Sequence, residues 1–189
     1  GAPVVVTASP SAVVASDSKG SQAIYVFVRN TEGTLSMKAY YKDQDTDLYG
    51  WADWRGISKK LAGAPTCVAM GGSHVDCYGR NSKNNTVEFP NVLTNGPTTN
   101  LGGETDKRPG VLVSGDKQQV RIMVRGLDGK LWHKKWKAGE GFADWTPTDF
   151  DVASQPVCRF ESDTKMYWCF DVKGDGSVRA RRFENKMPF

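Results

Sequence analysis

Residues 50–54 read GWADW and residues 141–145 read GFADW, two nearly identical aromatic-rich phrases set 91 residues apart. The same offset separates Pro65 from Pro156 and Cys67 from Cys158, and Cys77 lies 92 residues before Cys169. Five letters recur by chance, but several landmarks sharing one offset mark an internal duplication. A repeat of this kind bounds the fold before any local propensity does.

The duplicated unit divides again. Four segments open with a proline and a short strand-forming run, at Pro10, Pro65, Pro109 and Pro156. Each continues into a second β-rich run (AIYVFVRN, HVDCYGRN, VRIMVRGL, MYWCFDVK), a turn (TEGT, NSKNN, LDGK, GDGS) and a third run (TLSMKAYY, TVEFPNV, KLWHKKW, SVRARRF). Asp-Gly and Glu-Gly between such runs signal hairpins, because glycine accepts the positive φ of a tight turn. Three to four short strands recurring every roughly 40–50 residues is the pattern of propeller blades. The proline spacings of 55, 44 and 47 fit it, the longest containing the additional DQDTDLY. The expectation is an all-β chain, a small β-propeller of four blades in a single domain, with blades over 9–63, 64–108, 109–153 and 154–189 plus 1–8. The last segment is about one strand short. The N-terminal run GAPVVVTAS is expected to complete it and close the ring.

The bulk properties agree with a folded, water-exposed module. A chain of 189 residues, 39% apolar, can bury one core. Nothing approaches the roughly 20 apolar residues of a membrane helix. The opening GAPVVVTA lacks the basic region and long apolar stretch of a signal peptide, so the chain reads as a mature form. A net charge of +4 from 25 basic and 21 acidic residues is too mild and dispersed for a nucleic-acid surface. Only RARR (Arg179, Arg181, Arg182) resembles a basic run, readable as a phosphate contact or as a solvated strand face.

The four cysteines form two pairs flanking short turns, Cys67 with Cys77 around Gly71–Ser73 and Cys158 with Cys169 around Asp163–Thr164. Residues opposed across a hairpin lie close enough for a disulfide, each bridge contributing about 2–3 kcal/mol for so short a loop. Zinc competes poorly, since single cysteines ten apart and two histidines do not form ligand pairs. Two disulfides imply a secreted, extracellular protein. The sequon Asn84-Asn85-Thr86 fits that setting.

The third segment, VRIMVRGLDGKLWHKKWKAGEGFADW, resembles the repeat of the fucose-binding propeller lectins. That repeat runs as a hydrophobic-V-R-G-x-D-x-x-L-W-H-x-x-W core followed by G-W-x-x-W, L-G-G and proline. The likeness is good over 109–153 and fair over 9–63, where VFVRNTEGTL, GWADW and LAGAP match. Over 64–108 only LGG and its proline remain, and 154–189 departs further. Family members have more than four blades. The resemblance implies sugar pockets between neighbouring blades, with an aromatic face stacking on the sugar and arginine and indole N–H groups holding its hydroxyls. The matching positions are Arg125, Trp132, Trp136 and Trp145 in the third segment. In the first they are Arg29, Tyr40 and Trp54, with Ser36 where tryptophan is expected. The second has Arg80 but Glu88 and Phe89 in place of the aromatic pair, and the fourth has Arg179 and Phe183. At most one or two complete sites are therefore expected, and the tryptophans can equally serve as packing anchors.

Other chemistry finds little footing. DQDTD (Asp43, Asp45, Asp47) suggests calcium, yet an EF-hand loop needs glycine where Leu48 stands and glutamate where Trp54 stands. His74 and His133 have no nucleophile or second histidine at motif spacing, and no nucleophile elbow, phosphate loop or metal cluster is present. No catalytic residue, metal or cofactor is expected. Two functions remain. One is a secreted, non-catalytic lectin-like module for a fucose-type glycan. The other is a secreted effector-like protein that binds and inhibits a host extracellular protein, such as a protease, on the same scaffold. Loss of equivalent sites favours the second, because repeat lectins gain avidity from several.

Overall fold

The computed structural model describes residues 4–17, 19–43, 45–161 and 166–184, and the described residues form strands, turns and coil without a helix. Among the described residues, seventeen strands assemble into four antiparallel sheets in chain order. The first holds β1 (Ser11–Ser16), β2 (Gln22–Arg29), β3 (Thr34–Lys42), β4 (Tyr49–Trp51) and β5 (Arg55–Lys60). The second holds β6 (Thr66–Gly71), β7 (His74–Arg80), β8 (Asn85–Phe89) and β9 (Thr99–Glu104). The third holds β10 (Gly110–Val113), β11 (Gln119–Arg125), β12 (Lys130–Lys137), β13 (Gly141–Phe142) and β14 (Thr146–Asp151). The fourth holds β15 (Val157–Glu161), β16 (Met166–Val172) and β17 (Val178–Glu184). The chain divides into two compact units, residues 1–102 and 103–189.

Period-two patterning explains the strands. In β2, Ala23, Tyr25 and Phe27 are buried while Gln22 and Ile24 face solvent. In the first unit Phe27, Leu35, Val75, Cys77 and Phe89 are core residues. In the second, Leu131, Phe150, Tyr167 and Cys169 are buried together. The four predicted turns share one geometry, each closed by a backbone pair such as Gly33 N–H to Asn30 C=O and Gly129 N–H to Gly126 C=O. Their fourth position has positive φ in every case, 76° at Gly33, 80° at Gly129 and 83° at Gly176. Asn84 fills it in the second sheet at 64°, a conformation asparagine tolerates better than most side chains.

Both disulfides form as the spacing predicts. Cys67 faces Cys77 and Cys158 faces Cys169 in register, with Cα separations of 4.0 and 4.1 Å. The turn at Asp163–Thr164 and the side chain of Phe183 lie outside the described residues. The N-terminal run differs from expectation. Val6 bridges to Asn30 and the Thr7 N–H donates to the Arg29 carbonyl, so its described part joins the first sheet and not the last. The anchor is polar: the Arg29 guanidinium donates to the Thr7 hydroxyl at 2.6 Å, whereas Val5 and Val6 stay largely exposed.

Candidate functional site

The arginine of the repeat comes to rest on the backbone. Arg29 Nε donates to the Leu61 carbonyl at 2.7 Å and Arg125 Nε to the Val152 carbonyl at 2.8 Å. Arg125 also pairs with Asp106 at 3.1 Å, and Arg80 reaches the Ala62 carbonyl at 3.2 Å. Arg29 and Arg125 each satisfy a carbonyl just past the last strand of their own sheet, Arg80 one just past the last strand of the first sheet, and such a charge-assisted bond is worth roughly 1.5–3 kcal/mol. These side chains stitch the sheet and line none of the cavities described below. Arg179 is used similarly, held by Asp171 at 2.8–2.9 Å, while Arg181 stacks on Phe150 with 4.4 Å to the ring centroid.

Trp132 and Trp145 meet at a cavity of about 360 Å³ in the second unit, with Val124, Leu127 and Asp128 beside them. Both indoles are already engaged. Trp132 Nε1 donates to Asp128 at 3.1 Å. Trp145 lies flat against Gly103, where a Cβ would come within 2.3 Å of the ring, and Lys134 sits 5.6 Å from the ring centroid. Trp136 is half-buried opposite Phe142, away from this cavity. The first sheet repeats the arrangement, with Lys38 at 5.8 Å over Trp54. Tyr40 contacts both Tyr49 and Trp51, its centroid 5.9 and 5.1 Å from theirs. The repeated aromatic phrase is therefore a strand-and-turn anchor in both sheets.

A second cavity of about 460 Å³, larger than the Trp132–Trp145 one, lies in the first unit, and motif matching did not find it. Its floor is the buried face of β2 and β3, from Tyr25, Met37, Ala39 and Tyr41. Ser73 of the β6–β7 turn and Leu93 after β8 supply the facing wall. The two walls are tied by the Ser16 N–H donating to the Gly72 carbonyl and the Cys67 N–H donating to the Ser11 hydroxyl, both at 2.9 Å. At the rim, Arg55 donates to the Leu93 carbonyl at 3.1 Å and touches the Met37 sulfur. Lys19, Lys42, Thr94 and the three carboxylates Asp17, Asp43 and Asp45 complete the polar mouth. Burial, with a smaller contribution from Asp17, raises the pKa of Tyr25 above its ordinary value, so the phenol is a neutral donor inside the cavity. Asp43, one of the acids read as a calcium loop, accepts the N–H groups of Asp45 and Thr46 at 2.9 Å. The Thr46 N–H above all, with its hydroxyl and the Asp45 N–H, holds the carboxyl below its usual range. A concave, partly apolar site with a few convergent polar groups is what small-molecule sites require, and its volume falls in their range of about 300–1,000 Å³.

Buried polar pairs take the place of this floor in the second and third sheets. Tyr25 and Met37 of the first sheet correspond by register to Asp76 and Glu88 in the second and to Arg121 and His133 in the third. Glu88 accepts from the Tyr78 hydroxyl at 3.0 Å, and burial is the main cause that pushes its carboxyl up to about 7. His74 Nε2 lies 2.6 Å from Asp76. Burial, and then the nearby Arg121, lowers His133 to about 4.

No protein-family profile matches the sequence, and no curated protein matches it either. The fold is nevertheless shared with solved propeller lectins. The Aleuria aurantia lectin in complex with Fucα1-6GlcNAc superposes with a TM-score of 0.63 at 16% identity, over 92% of this chain and 58% of the lectin. The SapL1 lectin in complex with α-methyl fucoside gives 0.61 at 13% identity, over 94% and 61%. The catalytic domain of an α-L-arabinofuranosidase from Coprinopsis cinerea gives 0.54 at 12% identity, over 95% and 64%. The chain has a diverged fucose-lectin propeller fold. It spans about three fifths of the lectin chains it matches.

Proposed function

We propose that this protein is a non-catalytic, lectin-like module that takes a terminal fucose-type sugar in the cavity of its first unit. The observation that carries the reading is the cavity's chemistry. Tyr25 and Tyr41 line it with aromatic side chains, Met37 and Ala39 with a small apolar patch, and Arg55 and Lys19 with donors for hydroxyls at the mouth. A deoxy sugar presents the complementary set, one methyl-bearing apolar side and several hydroxyls. The fold supports the reading as the scaffold of neighbours solved with fucosides, although glycosidases share it too.

A binding role accords better with the carboxylates. Glycoside hydrolysis needs a pair of acids, one with a raised pKa. At the cavity mouth the Asp17 Oδ1 already accepts the N–H groups of Lys19 and Ser21, both at 2.8 Å, and Asp43 is held in its ionised form. Among the described residues the carboxyl raised into a general acid's range is Glu88, which is buried against Tyr78. The two disulfides support an oxidising, extracellular setting.

A glycan array followed by calorimetric titration with α-methyl fucoside tests the proposal. Saturable binding, competed by free fucose and weakened about tenfold by Arg55→Ala, is the expected result, as for loss of a charged hydrogen bond. A blank array would overturn it and return the scaffold to protein partners, secreted proteases first.

A further inference from the structure

The first sheet differs from the third by five extra residues between the third strand's aromatic and the next, since Tyr40 to Trp51 spans eleven positions and Trp136 to Phe142 spans six. That insertion leads into β4, a three-residue edge strand whose large side chains are conspicuously open. Leu48 is 69% exposed, Tyr49 62% and Trp51 53%. Exposed aromatic clusters on an otherwise polar edge mark an interaction surface. The rings here are also ordered. Tyr49 stacks on Tyr40 with 21° between planes, and Trp51 leans on Tyr40 with 52° between planes.

This platform is continuous with the large cavity. Tyr41 and Asp43 line both that cavity and a smaller one of about 190 Å³ that ends on Tyr49 and Trp51. Trp51 in turn borders a further hollow of about 190 Å³ with Lys38 and Trp54. One track therefore runs from the cavity mouth around the β4 edge and across the outer face. Along it, rings alternate with hydrogen-bonding groups: Asp43 beside Tyr41, the Lys42–Asp47 ion pair at 2.5 Å beside Tyr49, and Lys38 at 5.9 Å from Trp51. An apolar peptide or helix would desolvate those charged groups without offering them new hydrogen bonds, at a cost. A chain of pyranose rings fits them, each sugar offering a C–H face to a ring and hydroxyls to the polar neighbour.

We propose that the β4 platform binds the sugars that follow the terminal one, so that the physiological ligand is an extended oligosaccharide. This extension rests on the cavity holding the terminal sugar. In titrations of α-methyl fucoside against fucose-terminated di-, tri- and tetrasaccharides, affinity rises roughly three- to tenfold per ring contacted, as expected for aromatic contacts. Trp51→Ala and, separately, Tyr49→Ala abolish that rise and leave α-methyl fucoside affinity within about twofold. Both side chains are exposed, so neither variant disturbs the core. A flat length series, or a rise that survives both variants, overturns the extension while leaving the cavity reading intact. A rise that survives Arg55→Ala but not Trp51→Ala sustains the platform and removes the terminal sugar from the cavity. Failure of every saccharide to bind overturns both.

Discussion

The first and third sheets are copies in scaffold and opposites in what they hold. Both tie an arginine to a carbonyl just past the last strand, Arg29 to Leu61 and Arg125 to Val152. Both set a lysine on the tryptophan of the repeated phrase. Yet at matched register the first sheet places Tyr25 and Ala39 at an open cavity, whereas the third places Arg121 opposite Lys135 and buries His133 beside them. The repeat conserves what holds a sheet together and varies the inward positions that decide what it can bind.

Substitution at shared positions tests the common scaffold most severely. Phe27 and Met123 occupy the same register position, 0% and 4% exposed. Phe27→Ala is expected to cost about 3–5 kcal/mol and Met123→Ala about 2–5, read from urea unfolding. A loss under about 1 kcal/mol at either would break the equivalence. Next come the disulfides. Replacing Cys67 and Cys77 together by serine, or Cys158 and Cys169, is expected to cost about 2–3 kcal/mol per bridge. Gly103→Ala follows, at roughly 1–3 kcal/mol, because φ is +66° and the new Cβ would strike the Trp145 ring. A neutral Gly103→Ala would show that Trp145 is free to move and reopen it as a ligand platform.

The smallest effects are in pH dependence, and they run in opposite directions. Glu88 titrates near 7 in the fold against 4.5 ordinarily, so its contribution is full below about 4.5 and is lost as pH rises through 7. His133 titrates near 4 against 6.5, so its contribution is present above 6.5 and is lost as pH falls through 4. Urea midpoints stepped between those values should fall less steeply with rising pH in Glu88→Gln. In His133→Gln they should lose part of their gain with rising pH. Identical slopes in wild type and both variants would contradict the buried assignments.

Much of the fold was legible because a duplicated offset and turn chemistry are properties of the chain itself. The four turns, the paired cysteines and the strand runs needed no knowledge of spatial neighbours. The N-terminal run misled because a strand-like composition does not say which edge it joins; a polar contact between Thr7 and Arg29 decided that. The site was harder to read. Arg125 and Arg29 sit at motif positions, but a long side chain's direction depends on which carbonyl comes within reach. Trp132 and Trp145 line one cavity, while Trp136 lies away from it. The larger cavity escaped notice because Tyr25, Ala39 and Leu93 belong to no motif and meet only once two sheets are in register. The one available signal was the small Ala39 among inward aromatic residues.

Chemical-shift mapping of the isotope-labelled protein with α-methyl fucoside tests the central claim most directly. The account predicts perturbations gathered at Tyr25, Ala39, Tyr41 and Arg55, with Trp132 and Trp145 unmoved. Perturbations centred on Trp132, Trp145 and Asp128, or none at saturating sugar, would contradict it.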